Sequence, residues 1–380
     1  MSRLRPYIGV VAVFLVGVFF VAISSDVSVP LAPVVVTKSA SSTLAVVETI
    51  VDTSTIAETD VLPSESPPIP KKAVPRPPLK ATEGTAPSVV TSVPIPAPIA
   101  LTPSGSAELD ASASALRSAL VNIICYAPAG SSLRSISGSG VIVDSKGIIL
   151  TNAHIAQNFL LADRNVSCTI RAGSPAVDKY KASLIYIPSA WVNANAKILT
   201  ESNPSGTGEY DFAFLAVSKS ITRDELPSSF PSIPLATSPS NIGTPVVIAS
   251  YGAQFLESSQ IQSSLFPTIV FGSVKDVFTF ATNTIDVLAL GGSAAAQEGS
   301  SGGGVSNINS ELVGTITTST TKGTTDTRKL DAITSSYIRV AYASETGQAL
   351  DLLLAQPTAT SISNFAPKIP ELESILTANL

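Results

Sequence analysis

The chain of 380 residues holds one histidine, two cysteines, one tryptophan and one methionine, and only 13% of its residues are charged. Each scarcity excludes something. Cys125 and Cys168 have no histidine, cysteine or acidic neighbours at metal-ligand spacing, so no zinc or other metal site is expected. Lysine and arginine total 23 against 28 aspartates and glutamates, for a net charge of −5. They form no basic stripe able to neutralise phosphates, which argues against nucleic acid as a partner. Lys71, Lys72 and Arg76 cluster in a proline-rich stretch and read as a solubilising feature of it. No phosphate loop or dinucleotide fingerprint occurs. With a single histidine, any chemistry that needs an imidazole base must use His154.

What is present divides the chain into four spans. Residues 1–25 carry an uncharged apolar run, Tyr7 to Ser25, preceded by Arg3 and Arg5 and followed by Asp26. As a helix, 19 residues extend roughly 28 Å, close to the hydrocarbon thickness of a bilayer. The length of the run, beyond the usual h-region of about 7–15 residues in a signal peptide, predicts a retained single-pass anchor in the cell membrane, and the flanking charge predicts a cytoplasmic N-terminus with everything after it extracytoplasmic. The alternative is a cleaved signal peptide, with Ala22 and Ser24 as the small residues before the cut. Residues 26–106 hold half of the chain's 28 prolines among many Ser, Thr, Val and Ala. Such a composition cannot bury a core and reads as a disordered tether with polyproline II stretches. Residues 107–356 form the folded domain and 357–380 a C-terminal tail.

From Val121–Tyr126 to Tyr337–Val340, about a dozen short apolar runs recur between Gly, Ser, Pro and Asn clusters. That spacing predicts an all-β barrel or sandwich. Ala111–Ala119 and His154–Leu161 read as short helices.

Three strings carry chemistry. His154 ends the segment that begins Ser-Gly-Ser-Gly at Ser137. Asp211 opens the apolar run from Phe212 to Val217. Gly299 begins Gly-Ser-Ser-Gly-Gly-Gly. A serine hydroxyl needs a base to take its proton, imidazole titrates near the right pH, and a carboxylate must fix the tautomer of that imidazole. Glycines around the serine let it project while neighbouring N–H groups face a developing oxyanion. The string also fits the Gly-x-Ser-x-Gly elbow of α/β-hydrolases. Those enzymes run serine, acid, histidine, and here no histidine follows the serine.

Taken together, the strings resemble the trypsin-like serine peptidases, and most closely the HtrA/Deg branch, over residues of about 110 to 356. Val121-Asn-Ile-Ile, the span Ser306–Thr317, Tyr337-Ile-Arg-Val-Ala and the segment Ser344–Ala355 extend the likeness as first core strand, strand–turn–strand, last strand and closing helix. The resemblance implies two six-stranded antiparallel β-barrels with the active site between them, and a C-terminal helix. It maps the base onto His154, the acid onto Asp211, the nucleophile onto Ser301 and the oxyanion donors onto the N–H groups of Gly299 and Ser301. Ser300 is the runner-up nucleophile, out of frame with the glycines. Ala294, Ala295, Ala296 and Glu298 map onto the wall and rim of the primary substrate pocket. The alanines there predict small or medium apolar P1 side chains (Ala, Val, Leu), unless they merely pack within the second barrel.

The implied activity is endoproteolysis of protein or peptide substrates through an acyl-enzyme, with no cofactor. The rival from another class is a catalytically silent domain that binds peptides or envelope proteins. Two cysteines in an exported chain also permit one disulfide, Cys125–Cys168. In the entropic model its loop of about 43 residues is worth roughly 4 kcal/mol. The chain departs from the family pattern in a longer Pro188–Gly208 segment. No PDZ-like domain is expected after residue 356, because too few residues remain. Oligomeric assembly is left open.

Overall fold

The computed structural model describes residues 103–199, 206–280, 283–319 and 323–378. The expected membrane helix and all but the end of the expected linker lie outside them. Among the described residues no helix is long and apolar enough to cross a membrane.

Helix α1 (Pro103–Ala119) leads into six strands: β1 (Leu120–Tyr126), β2 (Ile136–Asp144), β3 (Ile148–Thr151), β4 (Ser167–Ala172), β5 (Val177–Tyr186) and β6 (Ala213–Ser220). They close into an antiparallel barrel in the order β1-β2-β3-β6-β5-β4. Helix α2 (Ala153–Ala156) and a 3-10 turn over Gln157–Arg164 follow β3, and α3 (Ser189–Ala194) follows β5. Alternation of large and small residues fills the barrel. Ile123, Ile149 and Ile170 are fully buried. A methyl group at Gly140 would stand 2.8 Å from the Ile149 side chain, so the glycines of the Ser-Gly-Ser-Gly string make room for isoleucines. Cys125 and Cys168 face each other across β1 and β4 and form the disulfide.

The second half contains β7 (Pro245–Ser250), α4 (Ser258–Ser263), β8 (Thr268–Ser273), β9 (Asp276–Phe278), β10 (Val287–Ala289), β11 (Gly304–Ser306), β12 (Leu312–Ser319) and β13 (Leu330–Thr334). Its strands form one seven-stranded sheet in the order β8-β7-β11-β12-β13-β10-β9. It is therefore not the closed six-stranded barrel that the resemblance implied. The short strand β9 adds an edge beside β10, and β8 forms the opposite edge. Val246, Ile248, Leu288, Val305, Val313 and Leu330 make its core.

The C-terminal part corrects another expectation. Tyr337–Val340 is not the last strand; that place belongs to β13, and Tyr337 lies in α5 (Ser335–Thr346). Thr334 caps this helix by accepting the Tyr337 N–H. Ile338, Ala341 and Tyr342 are buried at helical spacing, which fits a helix stripe rather than strand alternation. Helices α6 (Leu350–Ala355), α7 (Thr358–Phe365) and α8 (Ile369–Thr377) follow. Of the span read as a tail, 357–380, the described residues 357–378 fold: α7 packs on β5 and β6, α8 packs on α3 and the 3-10 turn, and Phe365, Leu372 and Leu376 are buried.

Helix α1 precedes the first barrel but lies on the second sheet, against β7 and β11. Its Ser112 hydroxyl meets that of Ser306 at 2.7 Å. The two halves are thereby held face to face, and the three chemical strings come to their junction.

Candidate active site

His154 stands one turn beyond β3. Asn152 stays extended (φ −80°, ψ 154°), and its carbonyl accepts from Ile155 and Ala156, starting α2. Ile155 packs where a side chain at Gly138 would collide with it. The imidazole above this seat is about a quarter exposed.

Asp211 is delivered by a tight turn. Gly208 (φ +86°) and Tyr210 (φ +56°) adopt left-handed backbone, and the Tyr210 N–H donates to the Tyr337 hydroxyl at 3.1 Å. Strand β6 begins two residues after Asp211, so the carboxylate sits in the turn before the strand rather than in its first position.

Asp211 is buried, and its oxygens are well supplied with donors. Oδ1 accepts the His154 backbone N–H at 3.0 Å. Oδ2 is 2.8 Å from His154 Nδ1 and accepts the Thr317 hydroxyl at 2.7 Å. The neighbouring Asn152 side-chain amide donates to the Asp211 carbonyl at 2.8 Å. These contacts set the proton chemistry. Burial acts to lower the imidazole pKa, but the charge and hydrogen bond of Asp211 outweigh it and hold His154 above its ordinary 6.5. Burial acts to raise Asp211, but His154 and the hydrogen bonds from His154 and Thr317 hold it below its ordinary 3.8. Nδ1 faces the carboxylate, which orients the imidazole so that Nε2 is the nitrogen left for a reacting group.

The serine string forms a turn between β10 and β11. Gly299 and Gly302 have φ of +89° and +83°. A side chain at Gly302 would overlap the Ser139 carbonyl and stand 2.5 Å from the Thr151 hydroxyl. Only glycine therefore lets the serine turn lie against the end of β3, from which the His154 helix starts. Ser139 stitches the junction: its N–H donates to the Ser301 carbonyl and its hydroxyl to the Gly299 carbonyl, each at 2.8 Å. The Tyr251 N–H donates to the same hydroxyl.

The two serines differ. Ser300 is fully buried and accepts a hydrogen bond from Ser250 at 3.1 Å. Ser301 is partly exposed, and among the described residues its hydroxyl has no hydrogen-bond partner, His154 included. It is joined to the site through its backbone. The N–H groups of Gly299 and Ser301 likewise donate to no acceptor among the described residues, leaving both available to a ligand.

The structure brings His154 and Asp211 into contact and lays the Ser301 turn beside them. The four expected pocket residues differ in burial. Ala295 and Ala296 are buried in the core of the second sheet, the packing alternative left open by the sequence, while Ala294 and Glu298 are exposed. Sequence reading missed Thr317 and Ser139. Neither carries a local signal, since the one acts across 106 residues and the other across 160. Replacing Thr317 with valine keeps the shape and removes a donor to a buried carboxylate, a bond worth about 1.5–3 kcal/mol. Steady-state kinetics should give kcat/KM lower by about tenfold or more, with Thr317→Ser near wild type.

The family model described as "Trypsin-like peptidase domain" matches residues 138–314, a span that contains His154, Asp211 and Ser301. No curated protein matches the chain. Among solved structures, that of Rv3671c from M. tuberculosis H37Rv, a serine-to-alanine mutant in its inactive form, is similar at 16% identity and a TM-score of 0.39, over 68% of this chain and 98% of that one. The family match, and the barrel and sheet that meet at the histidine and the serine turn, lead to one assignment: this chain carries a trypsin-like peptidase domain.

Proposed function

We propose that the chain is a serine endopeptidase that cleaves protein substrates. The observation that carries this reading is the buried Asp211 carboxylate, which engages both the backbone and Nδ1 of the only histidine beside a glycine turn with free N–H groups. Ser301 Oγ attacks the scissile carbonyl while His154 Nε2 takes its proton, and the N–H groups of Gly299 and Ser301 hold the oxyanion. His154 then gives that proton to the leaving amine, forming an acyl-enzyme. Water, deprotonated by the same imidazole, releases the acid and restores Ser301. Asp211 supports the imidazolium in both steps. A fluorophosphonate probe tests the reading: covalent labelling at Ser301 is expected, and a folded wild-type protein that stays unlabelled leaves the peptide-binding alternative in its place.

We also propose that Tyr7–Ser25 anchors the chain in the cell membrane with the domain on the extracytoplasmic side. The Cys125–Cys168 disulfide supports this, because such bonds persist in oxidising compartments. Fractionation should leave the protein with membranes, and protease added to intact cells or spheroplasts should reach the domain. A soluble form with a mature N-terminus near Ser25 would replace the anchor with a signal peptide.

A further inference from the structure

The serine turn is tied down from several directions, but the segment before it is not. Over residues 292–298 most hydrogen bonds are local, such as Ala296 N–H to the Ser293 carbonyl and Gln297 N–H to the Ala295 carbonyl. Among the described residues only two bonds reach it from elsewhere in the chain. The Ala253 N–H donates to the Glu298 carbonyl at 2.8 Å, and Arg328 Nη1 donates to the Ala296 carbonyl at 2.8 Å.

Arg328 is itself unusual. It is a buried cation, only 6% exposed, with no carboxylate in ion-pair range among the described residues. Burying a guanidinium without a counter-ion is costly unless its donors are used. Here they are. Nε donates to the Gly323 carbonyl at 3.0 Å, Nη1 donates to Gln254 Oε1 at 2.6 Å as well as to Ala296, and the guanidinium lies 5.8 Å from the Phe255 ring centroid. Gln254 and Phe255 belong to the loop after β7, Ala296 to the segment before the serine turn, and Gly323 to the connection between β12 and β13. Three loops, of which one runs into the serine turn and another packs on Gly299, thus meet on one planar fork. A lysine could not reproduce it, because its single ammonium cannot span separated acceptors in fixed directions.

We propose that Arg328 is a positioning residue of the peptidase: it clamps these three loops and so fixes where the Gly299 and Ser301 N–H groups point. The inference rests on the endopeptidase reading above. Oxyanion donors act on charge that develops in the transition state, so their misplacement costs kcat and leaves KM almost unchanged. A displacement near 1 Å corresponds to a loss of about 10²-fold.

The test compares Arg328→Lys and Arg328→Ala with wild type by peptide kinetics, fluorophosphonate labelling rate, and amide hydrogen exchange. Both variants should lose kcat by about 10²-fold with KM within about twofold, and ethylguanidinium at millimolar concentration should restore activity to Arg328→Ala but not to Arg328→Lys. Amides of 292–299 and 252–255 should exchange faster while those of 213–217 are unchanged. Wild-type kcat in Arg328→Lys would overturn the proposal, as would faster exchange throughout the domain without chemical rescue, since the arginine would then be a general stabiliser. If wild type itself is not labelled, the endopeptidase reading fails, and the exchange pattern still decides whether the clamp exists.

Discussion

Replacing Ser301 with alanine should abolish peptidase activity, lowering kcat by about a millionfold and ending fluorophosphonate labelling, with the fold intact. His154→Ala should cost nearly as much, because both residues serve one proton transfer and removing either leaves the other without a task. The informative partner is Ser300→Ala. Ser300 is fully buried against Ser250, so its hydroxyl cannot meet a substrate. Its loss should leave labelling and kcat close to wild type, with a stability cost of about 1 kcal/mol for the missing hydrogen bond. Mass spectrometry of the labelled peptide distinguishes the two adjacent serines. A Ser301→Ala protein that still takes the label on Ser300, with wild-type turnover, would reassign the nucleophile.

Asp211→Asn should lower kcat by about 10⁴-fold at neutral pH, since the amide no longer selects the imidazole tautomer or supports its charge. Its pH profile should move in a direction fixed by the geometry. In wild type the base must be neutral to accept the serine proton, so activity falls as pH drops through the His154 pKa, which is held above 6.5. Without Asp211 only burial remains, and burial lowers that pKa, so the residual activity should have its acid midpoint below 6.5. The only histidine makes the measurement of kcat/KM against pH direct. A wild-type midpoint under 6.5, or one unmoved by Asp211→Asn, would refute the pairing.

Linkage extends the argument to stability. The raised histidine contributes stability that is full below about 6.5 and lost as pH rises through its folded pKa. The lowered aspartate contributes stability that is full above about 3.8 and lost as pH falls through its folded pKa. The ion pair therefore stabilises the fold fully between about 3.8 and 6.5, on the acidic side of the activity plateau.

How much of this was legible in the sequence follows from how far each signal reaches. His154, Asp211 and Ser301 each lie in a short string whose chemistry is local: an apolar strand end, a carboxylate before a buried run, a serine among glycines. Most strands announced themselves through apolar runs. β9 did not, because Asp276-Val-Phe is too short to alternate visibly, and β13 was obscured by Asp331 within it. Tyr337–Val340 is apolar enough for either secondary structure, and what decides it is the cap at Thr334 together with burial at Ile338, Ala341 and Tyr342. Thr317, Ser139 and Arg328 were illegible for another reason. Each acts through a single side chain on a partner 32 or more residues away, and nothing in the neighbouring sequence marks that partner.

The Ser139 stitch has a consequence for how activity arises during maturation. The base and the acid belong to the barrel and the serine to the half built on the second sheet, and the turn bearing the serine takes its shape partly from a strand on the opposite side. Neither half alone contains a working centre. On the endopeptidase reading proposed above, a newly made chain therefore cannot cleave the unfinished copies around it until its last strands have docked. Recovered activity after denaturation should lag behind recovered β-structure, by the time the two halves need to find each other.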